Sequence, residues 1–459
     1  MKIISKLFLL CILLVSFTSC KKTLDVEPAQ TIDAGTALEN DQDLNSLIVG
    51  GYSIMGTGSL YGTNLLMMPD LLGSETTASW RGTFSSPRQI ASKAMDRNNT
   101  DANLIWTAAY RVINTANIAL GALGVVKDAD LKKQLEGEAL FMRGIMHFEL
   151  VRLYALPWGA TADNSQPGVV IKTTPTKTEE EAFAKLPRNT VKQVYDQVIT
   201  DLVKAVTLLP EQKAKRITKY TALAFLSRVY LQQADYTNTR NAANEIIESG
   251  FFALNASVSA VFTNKDTKET IWEIQQNEQN NAGTANNGMA TFYASLPGIG
   301  RADVRVTASF VSGKYPAGDL RKTEWYYTGT GARPGNTYTS KWTSFSQNLP
   351  VIRLAEMYLT RAESNLVLGT TLGDTPGADL AKVRNIARTN STSPLVPTVT
   401  DVRNERFIEL AFEGQRIHDL RRLRLPTGTF AWNSDKLVFP IPQREIDASL
   451  GILVQNPGY

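Results

Sequence analysis

The chain has 459 residues, 43% hydrophobic and 20% charged, with a formal net charge of +4 at pH 7. That length and apolar fraction suit a large globular core of two- or three-domain size. Two cysteines exclude a disulfide-stapled scaffold, and near-balanced charge without a basic tract excludes electrostatic binding to nucleic acid or a lysine-rich membrane-surface helix.

Residues 1–19 carry Lys2 and Lys6, an apolar run from Leu7 to Val15 and small residues before Cys20. This is the pattern of a secretory signal, too short to span a membrane as a stable helix. Removing it takes Cys11 with it and leaves Cys20 as the sole thiol of an exported chain. A lone reactive thiol is an odd thing to export, whereas a cysteine acylated at the mature N-terminus anchors the protein through its lipid chains. Residues 21–30, KKTLDVEPAQ, are polar and proline-bearing, as a tether would be. Leu44, Leu47, Ile48 and Tyr52 keep helical spacing over 41–52. Gly56–Gly62 breaks that helix, and 65–72 is a short apolar run before the polar segment 73–88.

Three strongly periodic segments follow. Over 103–123, Trp106, Tyr110, Ile113, Asn117 and Leu120 share one face, so Asn117 is read as a core amide with buried partners. Over 138–157, Ala139, Met142, Ile145 or Met146, Leu150 and Leu153 recur at helical steps, with Arg143 and Glu149 beside them. An amphipathic helix at 188–209 stops at Pro210. Residues 220–250 read as two helices joined at 233–236, with Ala222, Leu226, Tyr230, Ala242, Ala243 and Ile247 alternating small and large, and Gly250 as C-cap. That alternation is the tetratricopeptide pattern. Helix pairs at 103–157, 188–250 and 351–390 extend it into a degenerate array.

Residues 251–350 differ. Ile271-Trp272-Glu273-Ile274 alternates as a strand would, 275–288 is rich in amides, and Trp325, Tyr326, Tyr327, Tyr338 and Trp342 lie among Gly, Thr, Arg and Pro. A hundred such residues are expected to form an irregular region with small strands and binding loops, packed over the helices. Helix returns at 351–368. Residues 401–423, DVRNERFIELAFEGQRIHDLRRL, carry an inward stripe of Phe407, Leu410, Ala411, Gly414 and Ile417 and a second stripe of Arg406, Glu409, Glu413 and Arg416. Arg406 and Arg416 are spaced to lie across the two glutamates, so the stripe reads as ion-paired scaffolding rather than a general acid and base.

His147 and His418 are the only histidines, and neither lies in a metal-ligand or zincin spacing. No nucleophile elbow, Walker A loop or dinucleotide fingerprint occurs, so no catalytic residue, metal or cofactor is expected. What remains is aromatic side chains in polar loops. Trp80, Arg81, Trp325 and Tyr326 are the candidate ligand-binding residues, expected to converge on one exposed face where rings stack on sugars and Arg, Asn and Gln bind hydroxyls. Trp342, Tyr338 and the 275–287 loop stand in reserve. The competing reading places these rings in a small core of the irregular region.

Asn404-Glu405-Arg406, Glu409-Leu410-Ala411-Phe412-Glu413-Gly414, Arg416 and Asp419-Leu420-Arg421-Arg422 resemble the C-terminal signature of the SusD/RagB family of Bacteroidetes outer-membrane lipoproteins. The start at Cys20-Lys21-Lys22, the helices at 103–123, 138–157 and 351–368, and the ending Phe439-Pro440-Ile441-Pro442 with Gln455-Asn456-Pro457-Gly458-Tyr459 agree with it; Gly144 stands where the family usually has alanine. The resemblance implies a mainly α fold of tetratricopeptide-like helix pairs, a SusD-like α-α superhelix with an irregular loop-rich part and a few short strands. It places a signal peptide at 1–19 and a single domain at 20–459, with a helical core over 31–250 and 351–425, the insertion at 251–350 and a tail at 426–459. It also implies a non-enzymatic, lipid-anchored protein of the outer-membrane surface that captures oligosaccharide and passes it to a TonB-dependent SusC-like barrel. Peptide capture on the same fold is the alternative. A surface hydrolase is the remaining class, and it would need two groups with separated pKa values, which no spacing outside the charged helix offers.

Overall fold

The computed structural model describes residues 38–459 other than 179, 180, 182, 183, 213, 284 and 285. The leader, Cys20 and the tether therefore lie outside the described residues. The protein is mainly α-helical with few short strands. Its longer helices are α1 (Asp41–Met55), α2 (Asn64–Leu72), α3 (Ser85–Ala91), α4 (Thr100–Gly121), α5 (Ala129–Tyr154), α6 (Val191–Leu208), α7 (Lys219–Gln232), α8 (Tyr236–Glu248), α9 (Leu354–Leu368), α10 (Pro376–Val383), α11 (Val399–Glu409) and α12 (Arg416–Arg422).

Local chemistry sets the helix ends. Asp128 caps α5 by accepting from the Asp130 and Leu131 amides at 3.0 and 2.8 Å, and Thr190 with Gln193 forms a capping box at the start of α6. Gly369, at φ +65°, ends α9 in the left-handed region. From α4 to α10 each helix packs on the next in the chain, and α1 covers α4. Because α9 packs directly on α8, residues 249–353 leave the array and return to it.

The α5 helix is buried almost all round from Gln134 to Tyr154, which is why its charged residues need partners. Arg143 pairs with Asp201 at 2.6 Å, Glu149 with Arg152 at 2.5 Å, and Glu138 with Arg216. Asn117 is satisfied as its position implied: its amide donates to the Lys172 and Thr174 carbonyls at 3.0 and 3.1 Å and its oxygen accepts from Arg143 at 3.0 Å. The C-terminal residues clamp the end of α5, since Asn456 donates to the carbonyls of Tyr154 and Phe439 at 2.8 and 2.7 Å.

The six strands among the described residues, β1 (Ala78–Trp80), β2 (Thr270–Ile274), β3 (Val304–Val306), β4 (Tyr326–Thr328), β5 (Thr337–Thr339) and β6 (Leu349–Arg353), form the antiparallel ribbons β1–β3, β2–β6 and β4–β5. The β1–β3 register pairs Ala78 with Val306, Ser79 with Arg305 and Trp80 with Val304. Alternation then sends Trp80, Val304 and Val306 inward and leaves Ser79 and Arg305 on the outer face.

Residues 401–423 depart from the continuous helix that their periodicity predicts. Helix α11 ends at Glu409 and α12 begins at Arg416; between them Phe412 and Gly414 take φ of +66° and +80°. A side chain at 414 would bring its Cβ within 2.8 Å of the Leu65 carbonyl, and the Gly414 and Arg416 amides donate to Asp70 at 2.8 and 3.0 Å. A buried carboxylate thus takes over the amides that a continuous helix would have paired internally.

Candidate functional site

Trp325 and Tyr326 do not lie on an exposed face, and Trp80 is buried too, so of the four candidates expected there only Arg81 is exposed. Trp325 is 1% exposed; its indole N–H donates to the Val258 carbonyl at 3.0 Å, and the Lys341 ammonium sits 4.0 Å from its ring centre. Tyr326 is buried against Phe310, Tyr315 and Phe412, with its hydroxyl 2.7 Å from that of Tyr315. The reserve candidates Trp342 and Tyr338 are buried as well, Trp342 donating to the Phe412 carbonyl at 2.9 Å. These rings form a small core of the irregular region, sealed by hydrogen bonds of their polar tips.

Trp80 and Arg81 sit elsewhere, at the end of β1. Trp80 is 9% exposed, its ring 5.8 Å from Phe292, and its N–H is buried without a hydrogen-bond partner among the described residues. Arg81 is exposed, and its backbone amide is tied to the Asp303 carbonyl at 2.6 Å. Next comes Gly82, where a Cβ would lie 2.5 Å from the Trp80 ring and 2.7 Å from the Asp303 carboxyl carbon, so only glycine lets the loop cross here. Arg88 of α3 closes the loop by donating to the Gly82 carbonyl at 2.9 Å, and Phe84 is left 46% exposed at the tip.

Two further segments meet this loop. The Arg301 guanidinium lies 4.4 Å from the Phe84 ring centre and 4.9 Å from that of Phe292, and its Nε donates to Asp303 at 2.9 Å. Arg333 reaches the other Asp303 oxygen at 3.8 Å. Burial pushes the Asp303 carboxyl up from its ordinary value, and Arg301 and Arg333 oppose that shift. Strand β3 packs on β5, where the Tyr338 hydroxyl donates to the Arg333 carbonyl at 3.0 Å and fixes that loop. The result is a shallow platform: Phe84 with Arg301 stacked on it, Trp80 and Phe292 beneath, and Arg81, Arg305 and Arg333 around the rim. Sequence reasoning singled out Trp80 and Arg81 but not Phe84 or Phe292, which carried no motif, nor Arg301, Arg305 and Arg333, which stand more than two hundred residues away.

Larger clefts among the described residues lie apart from this platform. One of about 560 Å³ lies between α4 and the C-terminal segment, with Trp106, Tyr110, Lys172, Arg444 and Glu445 in its walls. Two others, of about 430 and 280 Å³, share Lys215, Arg216, Trp272, Glu273 and Gln275, so part of the amide-rich loop after β2 does border an opening.

The paired glutamates prove to be interior. Glu409 binds Arg321 and Arg353 at 2.7 Å each and Arg388 at 3.0 Å, while Glu413 binds Arg353 at 2.8 Å and Lys341 at 2.6 Å. The expected partners face elsewhere: Arg406 pairs with Glu356 and Asp419, and Arg416 stacks 3.8 Å from the Phe407 ring centre. Helical spacing could not name cations supplied from other segments. Burial raises the Glu409 carboxyl, yet Arg388, Arg353 and Arg321 together hold it well below the usual range, which favours its charged form inside the network. Burial also favours the neutral form of both histidines, holding His147 at about 4 and His418 well below its ordinary value. Among the described residues no group of three or more His, Cys, Asp or Glu is placed to hold a metal ion.

Two family models match the chain. One, described as starch-binding and associating with the outer membrane, covers residues 23–231, and the SusD family model covers residues 311–438. The chain belongs to the SusD/RagB family. A SusD-like protein from Formosa agariphila is 26% identical over 98% of both chains. Among solved structures, a SusD superfamily protein from Bacteroides vulgatus aligns with a TM-score of 0.80 at 24% identity, covering 92% of this chain and 99% of its own. Surface glycan-binding protein A from Bacteroides thetaiotaomicron aligns at 0.75 and 18% identity, covering 92% and 100%. The helical array with its inserted ribbons is therefore the SusD fold, and in this chain an exposed Phe84 and a set of arginines lie by the β1–β3 ribbon. No helix of the described residues is long and apolar enough to cross a membrane.

Proposed function

We propose that this SusD/RagB protein is a non-enzymatic surface lipoprotein, anchored by lipid at Cys20, that captures oligosaccharide on the Phe84 platform and passes it to a TonB-dependent SusC-like barrel. The observation that carries the reading is the exposed Phe84 ring stiffened by Arg301, with the buried, unpartnered Trp80 N–H beneath. Sugar rings present an apolar C–H face that stacks on such a ring, and guanidinium forks reach their oxygen substituents. A shallow platform leaves most of a flexible chain in water, so affinity per site is expected in the micromolar to millimolar range.

The test is binding of the purified protein to a panel of polysaccharides, with Phe84→Ala beside the wild type. Stacking of about 0.5–1.5 kcal/mol corresponds to a loss of roughly two- to tenfold in affinity at an unchanged melting temperature. Undiminished binding by Phe84→Ala would move the site to one of the clefts. Release of new reducing ends from any polysaccharide would replace the binding reading with a hydrolase.

A further inference from the structure

We infer that the ligand of this platform is an anionic saccharide, one bearing carboxylate or sulfate ester groups; the inference rests on the saccharide reading of the same site. Its basis is the charge around Phe84. Arg301 stacks on that ring and shares the Asp303 carboxylate with Arg333, and Arg81 and Arg305 stand on the adjoining β1–β3 ribbon. The side chains of Arg81 and Arg305 make no hydrogen bond or ion pair among the described residues. They stand on the outer side of the β1–β3 ribbon, Arg305 opposite Ser79 and Arg81 opposite Asp303.

The residue type matters as much as the sign. A guanidinium presents a planar fork that fits a carboxylate or sulfate with two parallel bonds, whereas recognition of neutral hydroxyls needs acceptors as well as donors. Asn336, three residues from Arg333, donates to the Arg333 and Pro334 carbonyls at 3.1 and 3.2 Å, so its amide N–H groups hold the loop. A neutral glucan would leave the charge of these guanidiniums unmatched, whereas an anionic one would pair with it. Because the arginines are solvent-exposed or half-buried, the attraction should be screened by salt.

Electrophoresis through gels containing one polysaccharide each tests this: polygalacturonate for carboxylate, carrageenan for sulfate ester, and amylopectin as the neutral arm. The wild type should be retarded by at least one polyanion, with the retardation relieved at high salt, and the two arms identify the anionic group. Arg81→Gln, Arg305→Gln and Arg333→Gln should each weaken retardation by roughly two- to fivefold, the range of exposed ion pairs. Lys133→Gln and Lys192→Gln, distant exposed positions with the same charge change, should not. Should an Arg81→Gln protein fail to fold, Arg81→Lys serves instead, since it keeps the charge and loses the fork. Equal weakening by the lysine controls would reduce the effect to bulk charge and overturn the inference. Retardation by amylopectin alone, lost in Phe84→Ala, would overturn it while leaving the saccharide site in place; no retardation by any polysaccharide would remove both.

Discussion

Replacing Glu409 by Ala removes the anion at the centre of a buried network and leaves the guanidiniums of Arg321, Arg353 and Arg388 each short of a partner now held at 2.7–3.0 Å. All four side chains are at most 4% exposed, so water cannot fill the place without rearrangement. Breaking a buried pair from one side costs about 3–5 kcal/mol, most of it the penalty of the stranded charge. With an unfolding entropy of about 2.1 cal/mol/K per residue, a chain of this length has a melting entropy near 1 kcal/mol/K, so the melting temperature should fall by about 3–5 °C. Glu409→Gln keeps the volume and one acceptor oxygen and should fall less. Glu278→Ala, on the exposed loop after β2, should stay within about 0.5 kcal/mol of wild type. Calorimetry of the four proteins gives the comparison. A Glu409→Ala protein that melts within one degree of wild type would refute the reasoning, and one that melts normally while losing an activity would return the charged stripe to the status of an active site.

Trp325→Ala should behave as a core truncation rather than a ligand-site change, losing about 3–5 kcal/mol in thermal unfolding and keeping its affinity for saccharide wherever it remains folded. Acid should destabilise the protein through several groups at once: Glu356 and Asp419 are held at about 2 by their arginines despite burial, and burial holds His147 at about 4. Their folded pKa values lie below the unfolded ones, so their stabilisation is complete above about pH 6.5, falls first through His147 between 6.5 and 4, then through the carboxylates toward 2. A melting temperature that rises on acidification from pH 6 to 3 would contradict this. Cys20→Ala should release the protein into the soluble fraction on cell fractionation without altering its melting temperature, since anchoring would rest on acyl chains alone.

The helical array was legible because its signals are local. Periodicity at 103–123 and 138–157 located α4 and α5 to within a turn at most ends, except that α5 starts nine residues earlier, at Ala129, where a polar, half-exposed stretch carries little apolar period. The break at 410–415 was not legible, because the inward stripe continues across it in sequence; Asp70, more than three hundred residues away, is what draws the Gly414 and Arg416 amides out of helix. The aromatics of 325–342 misled for a similar reason. Short ribbons bury their rings without any period, so polar neighbours in sequence say little about exposure. Trp325 is surrounded in sequence by Glu324 and Tyr326, yet in space by Phe262, Lys341 and the Val258 carbonyl.

The contrast between two sets of arginines links this scaffold to its role. In the interior Arg321, Arg353, Arg388 and Arg422 are each bound by carboxylates, and their geometry is fixed by several bonds at once. At the ribbon the stacking of Arg301 and the closed Gly82 loop supply rigidity, while Arg81 and Arg305 keep free donors at the surface. A preordered platform lowers the entropic cost on the protein's side but not on the ligand's, so affinity stays modest. Modest affinity would suit the proposed transfer of ligand to a barrel. At an association rate of about 10⁶ M⁻¹s⁻¹ and a Kd near 100 μM, the ligand leaves about a hundred times per second, so release need not wait for a conformational change in the helical array. Tightening the platform to nanomolar affinity would slow that exit to about once in a thousand seconds, and capture would become storage.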